Sequence, residues 1–84
     1  GETMTQRDEI RRYALETMVT PARQRGETAV TIRASEIAQG MGLNHRFPSI
    51  CGALDLEFEQ YAGVRLIERT GPDASSTVTW TLKV

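Results

Sequence analysis

The final run of the chain, Thr77 to Val84, alternates without a break: Val78, Trp80, Leu82 and Val84 fall in one set, and Thr77, Thr79, Thr81 and Lys83 in the other. Strand side chains point to opposite faces in turn, so this pattern describes a strand with one buried and one wet face, with Trp80 in the core. Such a strand needs neighbours to bond and a second layer to cover it. A chain of 84 residues has room for one core only, so the expected architecture is a single α+β domain, helices against a small antiparallel sheet. It is read as one domain that could be a module of a larger protein, with residues 1–4 as a disordered or tag-derived lead.

The remaining segments supply those parts. Ile10, Tyr13, Ala14, Thr17, Met18 and Ala22 recur at three- and four-residue spacing, which predicts a helix from Thr5 to about Arg25. Thr5 with Asp8 resembles a capping box, Pro21 should kink or end the helix near Thr20, and Gly26 is its terminator. Thr28 to Ile32, rich in β-branched residues, predicts an edge strand. Ala34, Ile37, Ala38 and Met41 give a second helix, ended by Gly42 in a left-handed cap. After a polar turn, Asn44 to Phe47, a third helix is expected from Pro48 to Gln60 on Ile50, Cys51, Leu54 and Phe58. Val64, Leu66 and Ile67 predict a strand, and Gly71 to Ser76 the hairpin loop that leads into the last one.

Apolar residues at 39% and charged ones at 25% fit a folded domain rather than a disordered chain. The net charge of -1 gives no overall field toward phosphate or anionic lipid. The cations are nine arginines and one lysine, Lys83, and arginine favours bidentate contacts to phosphate or guanine. A single cysteine, Cys51, rules out an internal disulfide and fits a reducing compartment, so a cytoplasmic or nucleoid-associated location is expected. No run is long enough for a membrane span, and GETMTQRDE has no signal-peptide pattern.

The order helix, strand, helix, turn, helix, strand, loop, strand resembles the winged helix-turn-helix superfamily from about Val30 to Val84. Arg33 to Leu43 is similar to the family's first motif helix and turn, with Ile37, Ala38, Gly42 and Leu43 at its apolar, small, glycine and apolar positions. A small Ala38 lets two helices approach, and a glycine at 42 allows the positive φ of a tight turn. Ile50, Ala53 and Leu54 resemble the packing positions of the second motif helix, behind a turn, Asn44 to Ser49, longer than the family's. The resemblance implies a winged helix (α1-β1-α2-α3-β2-β3) around a three-helix core. It further implies a double-stranded DNA-binding module, with the third helix in the major groove and the hairpin as wing, serving transcription regulation.

The resemblance makes Asn44, His45, Arg46, Ser49 and Gly52 the groove-facing candidates. Arg46 could take guanine and Asn44 adenine, in keeping with their donor patterns. Gly52 and Ala53 leave the middle of the helix bare, either for close approach to a base or for helix packing. On the wing, Arg69, Thr70, Ser75, Ser76 and Thr77 offer donors to phosphate, with Arg33 joining from the start of the second helix; Asp73 at the tip opposes it. A solvated hairpin would carry the same residues.

Catalysis is not expected, and neither a cofactor nor a metal. His45 is the only histidine, no nucleophile motif accompanies it, and His45 with Cys51 lacks further zinc ligands. Asp55, Glu57 and Glu59 read as a solvated helix end, and the GMG at 40–42 as a helix terminus. Arg7, Arg11 and Arg12 beside Asp8, Glu9 and Glu16 read as surface ion pairs, and the first helix could pair with a second copy through Tyr13 and Met4. The rival reading is a winged-helix domain that binds protein; another is the recognition piece of a larger nuclease or regulator. Convergence of Arg33, Arg46 and Arg69 on one surface would favour DNA, an apolar patch would favour protein.

Overall fold

The computed structural model describes residues 5–71 and 75–84; the expectations for residues 1–4, including Met4, and for Asp73 lie outside them. The sheet has three antiparallel strands, β1 (Ala29–Arg33), β2 (Arg65–Thr70) and β3 (Thr79–Lys83), in the order β1-β3-β2. β3 is central and, as its alternation requires, turns Trp80 and Leu82 inward, with Val78 buried just ahead of it. Ile32 of β1 pairs with Trp80 on the covered face. The opposite face stays open and forms three cross-strand rows: Arg33, Thr79 and Thr70; Thr31, Thr81 and Glu68; Ala29, Lys83 and Arg65.

Thr5 caps the first helix, its hydroxyl accepting from the Asp8 amide at 3.1 Å. The helix runs through α1 (Gln6–Ala14), a π-helical turn (Leu15–Val19) and α2 (Thr20–Gln24) without stopping at Pro21. In a regular α-helix the proline ring would strike the Thr17 carbonyl. Here the Thr20 amide reaches back five residues to the Leu15 carbonyl, and this wider turn just ahead of Pro21 makes room for the ring.

α3 (Ala34–Met41) ends as expected at Gly42, whose φ of 70° is the left-handed cap, and the Leu43 amide returns to the Ala38 carbonyl. The expected third helix from Pro48 to Gln60 is instead two helices, so the domain has four rather than three. α4 (Phe47–Asp55) stops at Leu56, which is extended, and α5 (Phe58–Ala62) starts after Glu57. Neither proline nor glycine marks this break. Glu57 holds φ at 65°, the only positive value at a non-glycine among the described residues.

The break is fastened from α1. Arg11, expected in a surface ion pair, is only 6% exposed. Its Nε donates to the Ala53 carbonyl and its Nη2 to the Leu56 carbonyl, both at 3.0 Å, while Nη1 reaches Asp8 at 3.2 Å. A cation thus closes the carbonyl end of α4, where the helix dipole favours one. Arg23 repeats the device on α5, donating to the carbonyls of Ala62 and Gly63 at 2.7 and 2.8 Å.

A left-handed glutamate costs about 1 kcal/mol in backbone strain. The Glu57 carboxylate is 77% exposed and 3.9 Å from Arg11, too wet to offset much of that cost. Glu57→Gly is therefore expected to stabilise the domain by about 0.5 kcal/mol, after the entropy cost of glycine. Thermal unfolding checks this: the melting point should rise by about 2 to 4 °C, whereas a fall would show that the ion pair outweighs the strain.

Helices and sheet close on one apolar core, in which Trp80, Phe58, Ile10, Ile32, Ile37 and Ile50 are fully buried. The layout is α+β, and its order of elements is compatible with a winged helix.

Candidate nucleic-acid interface

The leading end of α4 stands clear of the fold. The Arg46 amide bonds the Leu43 carbonyl and the Ile50 amide bonds the Arg46 carbonyl, both at 3.0 Å, so a tight turn runs straight into the helix. Phe47 packs against the core and pins that turn, and Pro48 sits in the first helical turn where no amide donor is required. Asn44, His45, Arg46 and Pro48 are left exposed, with Ser49 half-buried beside them. Among the described residues Arg46 has no ion-pair partner. This corner offers a planar cation, an amide and an imidazole, groups suited to base edges and phosphate oxygens.

Gly52 does not serve as a bare groove-facing spot. A Cβ there would lie 2.9 Å from Arg7 Nη2 and about as near the rest of that guanidinium. The missing side chain makes room for α1, which is the helix-packing alternative. Its consequence is a cation the sequence did not single out: Arg7 is exposed and lies across the middle of α4, on the side of Ser49 three residues earlier. Only the crossing of α1 over α4 brings the two together.

The residues expected on the wing do not gather there. Arg69 Nε donates to Asp55 Oδ1 at 2.8 Å, and its guanidinium lies 5.8 Å from the Trp80 ring centroid. Trp80 Nε1 donates to the same carboxylate oxygen at 2.8 Å, so Asp55 ties α4 to the sheet instead of forming a solvated acidic end. Glu59 likewise takes the Leu66 amide at the β2 edge, at 3.0 Å. Ser75 and Thr77 share a hydrogen bond between their hydroxyls at 2.9 Å, which leaves Ser76, exposed, as the loop's open hydroxyl group. Arg33 and Thr70 fall in one cross-strand row with Thr79, on the open face, whereas α4 lies on the covered one. Arg33, Arg46 and Arg69 therefore do not converge, so the expectation that these three form one DNA-facing surface fails.

Cys51 lies inside this junction. Burial, then the Asp55 carboxylate, push its thiol pKa up, against smaller opposing effects of the Ser75 amide and Arg69. The thiol stays protonated and is a packing group, with the return arm of the hairpin loop close to it. Tyr13, expected as an exposed anchor for a second copy, packs over Gly40 of α3 and against the core. A shallow cleft of about 280 Å³ lies between α1 and α5, lined by Asp8, Arg11, Glu57, Gln60 and Tyr61; its arginine is the one that closes α4. Exposed large apolar side chains occur at Leu56, Tyr61, Leu66 and Ile67.

No family model, curated protein or solved structure matches the chain. Among the described residues no helix is long and apolar enough to cross a membrane.

Proposed function

We propose that the chain is a winged-helix domain that binds double-stranded DNA with the leading end of α4. The observation that carries this reading is the exposed Asn44, His45 and Arg46 at the start of a rigidly held helix, with Arg46 unpaired among the described residues and Arg7 lying across the same helix. Base contacts come from Asn44 and Arg46, with His45 and Ser49 beside them; Arg7 adds a phosphate contact. Arg69 takes no part, because its guanidinium is held by Asp55 and Trp80. The role would be that of a regulator's DNA-binding module, or the recognition part of a larger nuclease.

Arg46→Ala is expected to weaken duplex binding by about 1 to 3 kcal/mol and to alter sequence preference. Fluorescence anisotropy against a panel of labelled duplexes measures both. Equal affinity and preference in the variant would remove Arg46 from the interface. The second reading, a protein-binding surface, is favoured by Leu56 at 56% and Ile67 at 57% exposure, together with the net charge of -1. In that case, binding to duplex would be absent at low salt for the unaltered protein.

A further inference from the structure

The ten cations divide cleanly by what they touch. Arg11 and Arg23 close helix ends, Arg12 pairs with Glu16, Arg25 with Glu27 and Arg69 with Asp55. Arg7, Arg33, Arg46, Arg65 and Lys83 have no ion pair among the described residues. Two of these five flank α4. The other three stand together on the open face of the sheet, the side away from the helices, where they occupy its first and third rows.

Arg65 and Lys83 are direct register partners across β2 and β3. Same-face partners sit with Cβ atoms about 5 Å apart, and like charges at that spacing destabilise a sheet. No carboxylate shares their row, whose third member is Ala29. Among the described residues Glu68 is the one acid in the rows of this face, a row away opposite Thr81. Arg33 lies at the far end of the face, four residues from Lys83 counted along β3 from its partner Thr79, which is roughly 13 Å. Thr31, Thr81 and Glu68 fill the row between, and Arg33's own row continues through Thr79 to Thr70, so hydroxyls of β1 and β3 line the path from one cationic row to the other.

We infer that this open sheet face is a second anion-binding surface, whose ligand is the phosphate backbone of a nucleic acid. A lone phosphate would be served by the Arg65–Lys83 pair alone. Charges in two rows linked by hydroxyls suit a polyanion with repeated phosphates, and the surface is open rather than a pocket. Contacts to phosphate oxygens carry no sequence information of their own, so this contact is sequence-independent. It stands apart from the α4 reading and survives that reading's failure.

The test titrates a labelled random-sequence duplex of about 20 base pairs at several salt concentrations. Arg65→Gln with Lys83→Gln is expected to lower the slope of log affinity against log salt by about 1.8, two phosphate contacts, with the far-ultraviolet circular dichroism unchanged. Arg46→Ala, which removes a base contact, should lower affinity without that change in slope and leave the sheet's share in place. A double variant with the slope and affinity of the unaltered protein overturns the inference. So does binding of the unaltered protein to phosphatidylserine vesicles with none to the duplex. If Arg46→Ala has no effect while the double variant loses binding, the sheet face stands and α4 falls.

Discussion

Replacing Trp80 by alanine is expected to cost about 3 to 5 kcal/mol, most of the stability that a domain of this size holds. The residue is fully buried in the central strand, packs among Ile32, Ile37 and Ile50 in one core, and carries the indole N–H that bonds Asp55. Removing the ring opens a cavity, strands one lone pair of Asp55 and takes away the surface on which Arg69 rests. Urea denaturation followed by far-ultraviolet circular dichroism measures the loss, since Trp80 is the chain's one tryptophan and its own fluorescence vanishes with it. A midpoint near that of the unaltered protein would contradict the placement of this side chain.

Arg11→Met is the second large effect. Methionine keeps much of the stem and removes the guanidinium, leaving the Ala53 and Leu56 carbonyls without their charged donor at a buried helix end. The expected cost is about 3 kcal/mol, in line with two hydrogen bonds from a charged group, the one to Ala53 buried and the one to Leu56 part-buried. Amide hydrogen exchange locates the damage: protection should fall first over the α4–α5 junction, from Ala53 to Phe58. A variant that exchanges there as slowly as the parent would show that the break at Leu56 is held by packing alone.

The two substitutions differ in how far the sequence foretells them. Trp80 was legible because strict alternation has one physical cause, a sheet with one covered face. Gly42 was legible too, since a glycine after a helical stripe ends the helix in the left-handed region, as its φ of 70° bears out. Arg11 was not. Arg7, Arg11 and Arg12 sit among the same acids, and only the packing of α4 against α1 decides which arginine is drawn inside.

Arg69 shows a second limit. With Leu66 in register with Leu82 on the helix side of the sheet, where it is still part-exposed at the edge, unbroken alternation along β2 would send Arg69 to the open face. The irregularity between Leu66 and Glu68 inserts Ile67, reverses the faces beyond it and points Arg69 at Trp80 and Asp55. One unpaired residue thus takes Arg69, expected on the wing, off the open face. The split of the third helix was hidden for a related reason: Leu56 and Glu57 are ordinary helix residues, and the carbonyls they release are satisfied from another helix. The leading end of α4 was readable because a polar turn between two apolar stripes leaves its side chains nothing to pack against.

Arg7 belongs to neither class. The sequence shows a cation on an amphipathic helix, and the bare patch at Gly52 that receives it lies 45 residues further on. Because of that contact, the cationic flank of α4 is built from two helices, and a substitution at position 52 would act on α1 as well as on α4.

Amide chemical shifts of the isotope-labelled protein, followed as a short duplex is added at low salt, test the central claim most directly. The account predicts the largest changes at Asn44, His45, Arg46 and Ser49, with the Arg7 side chain moving alongside them. Changes confined to Leu56, Tyr61, Leu66 and Ile67, or no change from Asn44 to Gly52 at saturating duplex, would contradict it.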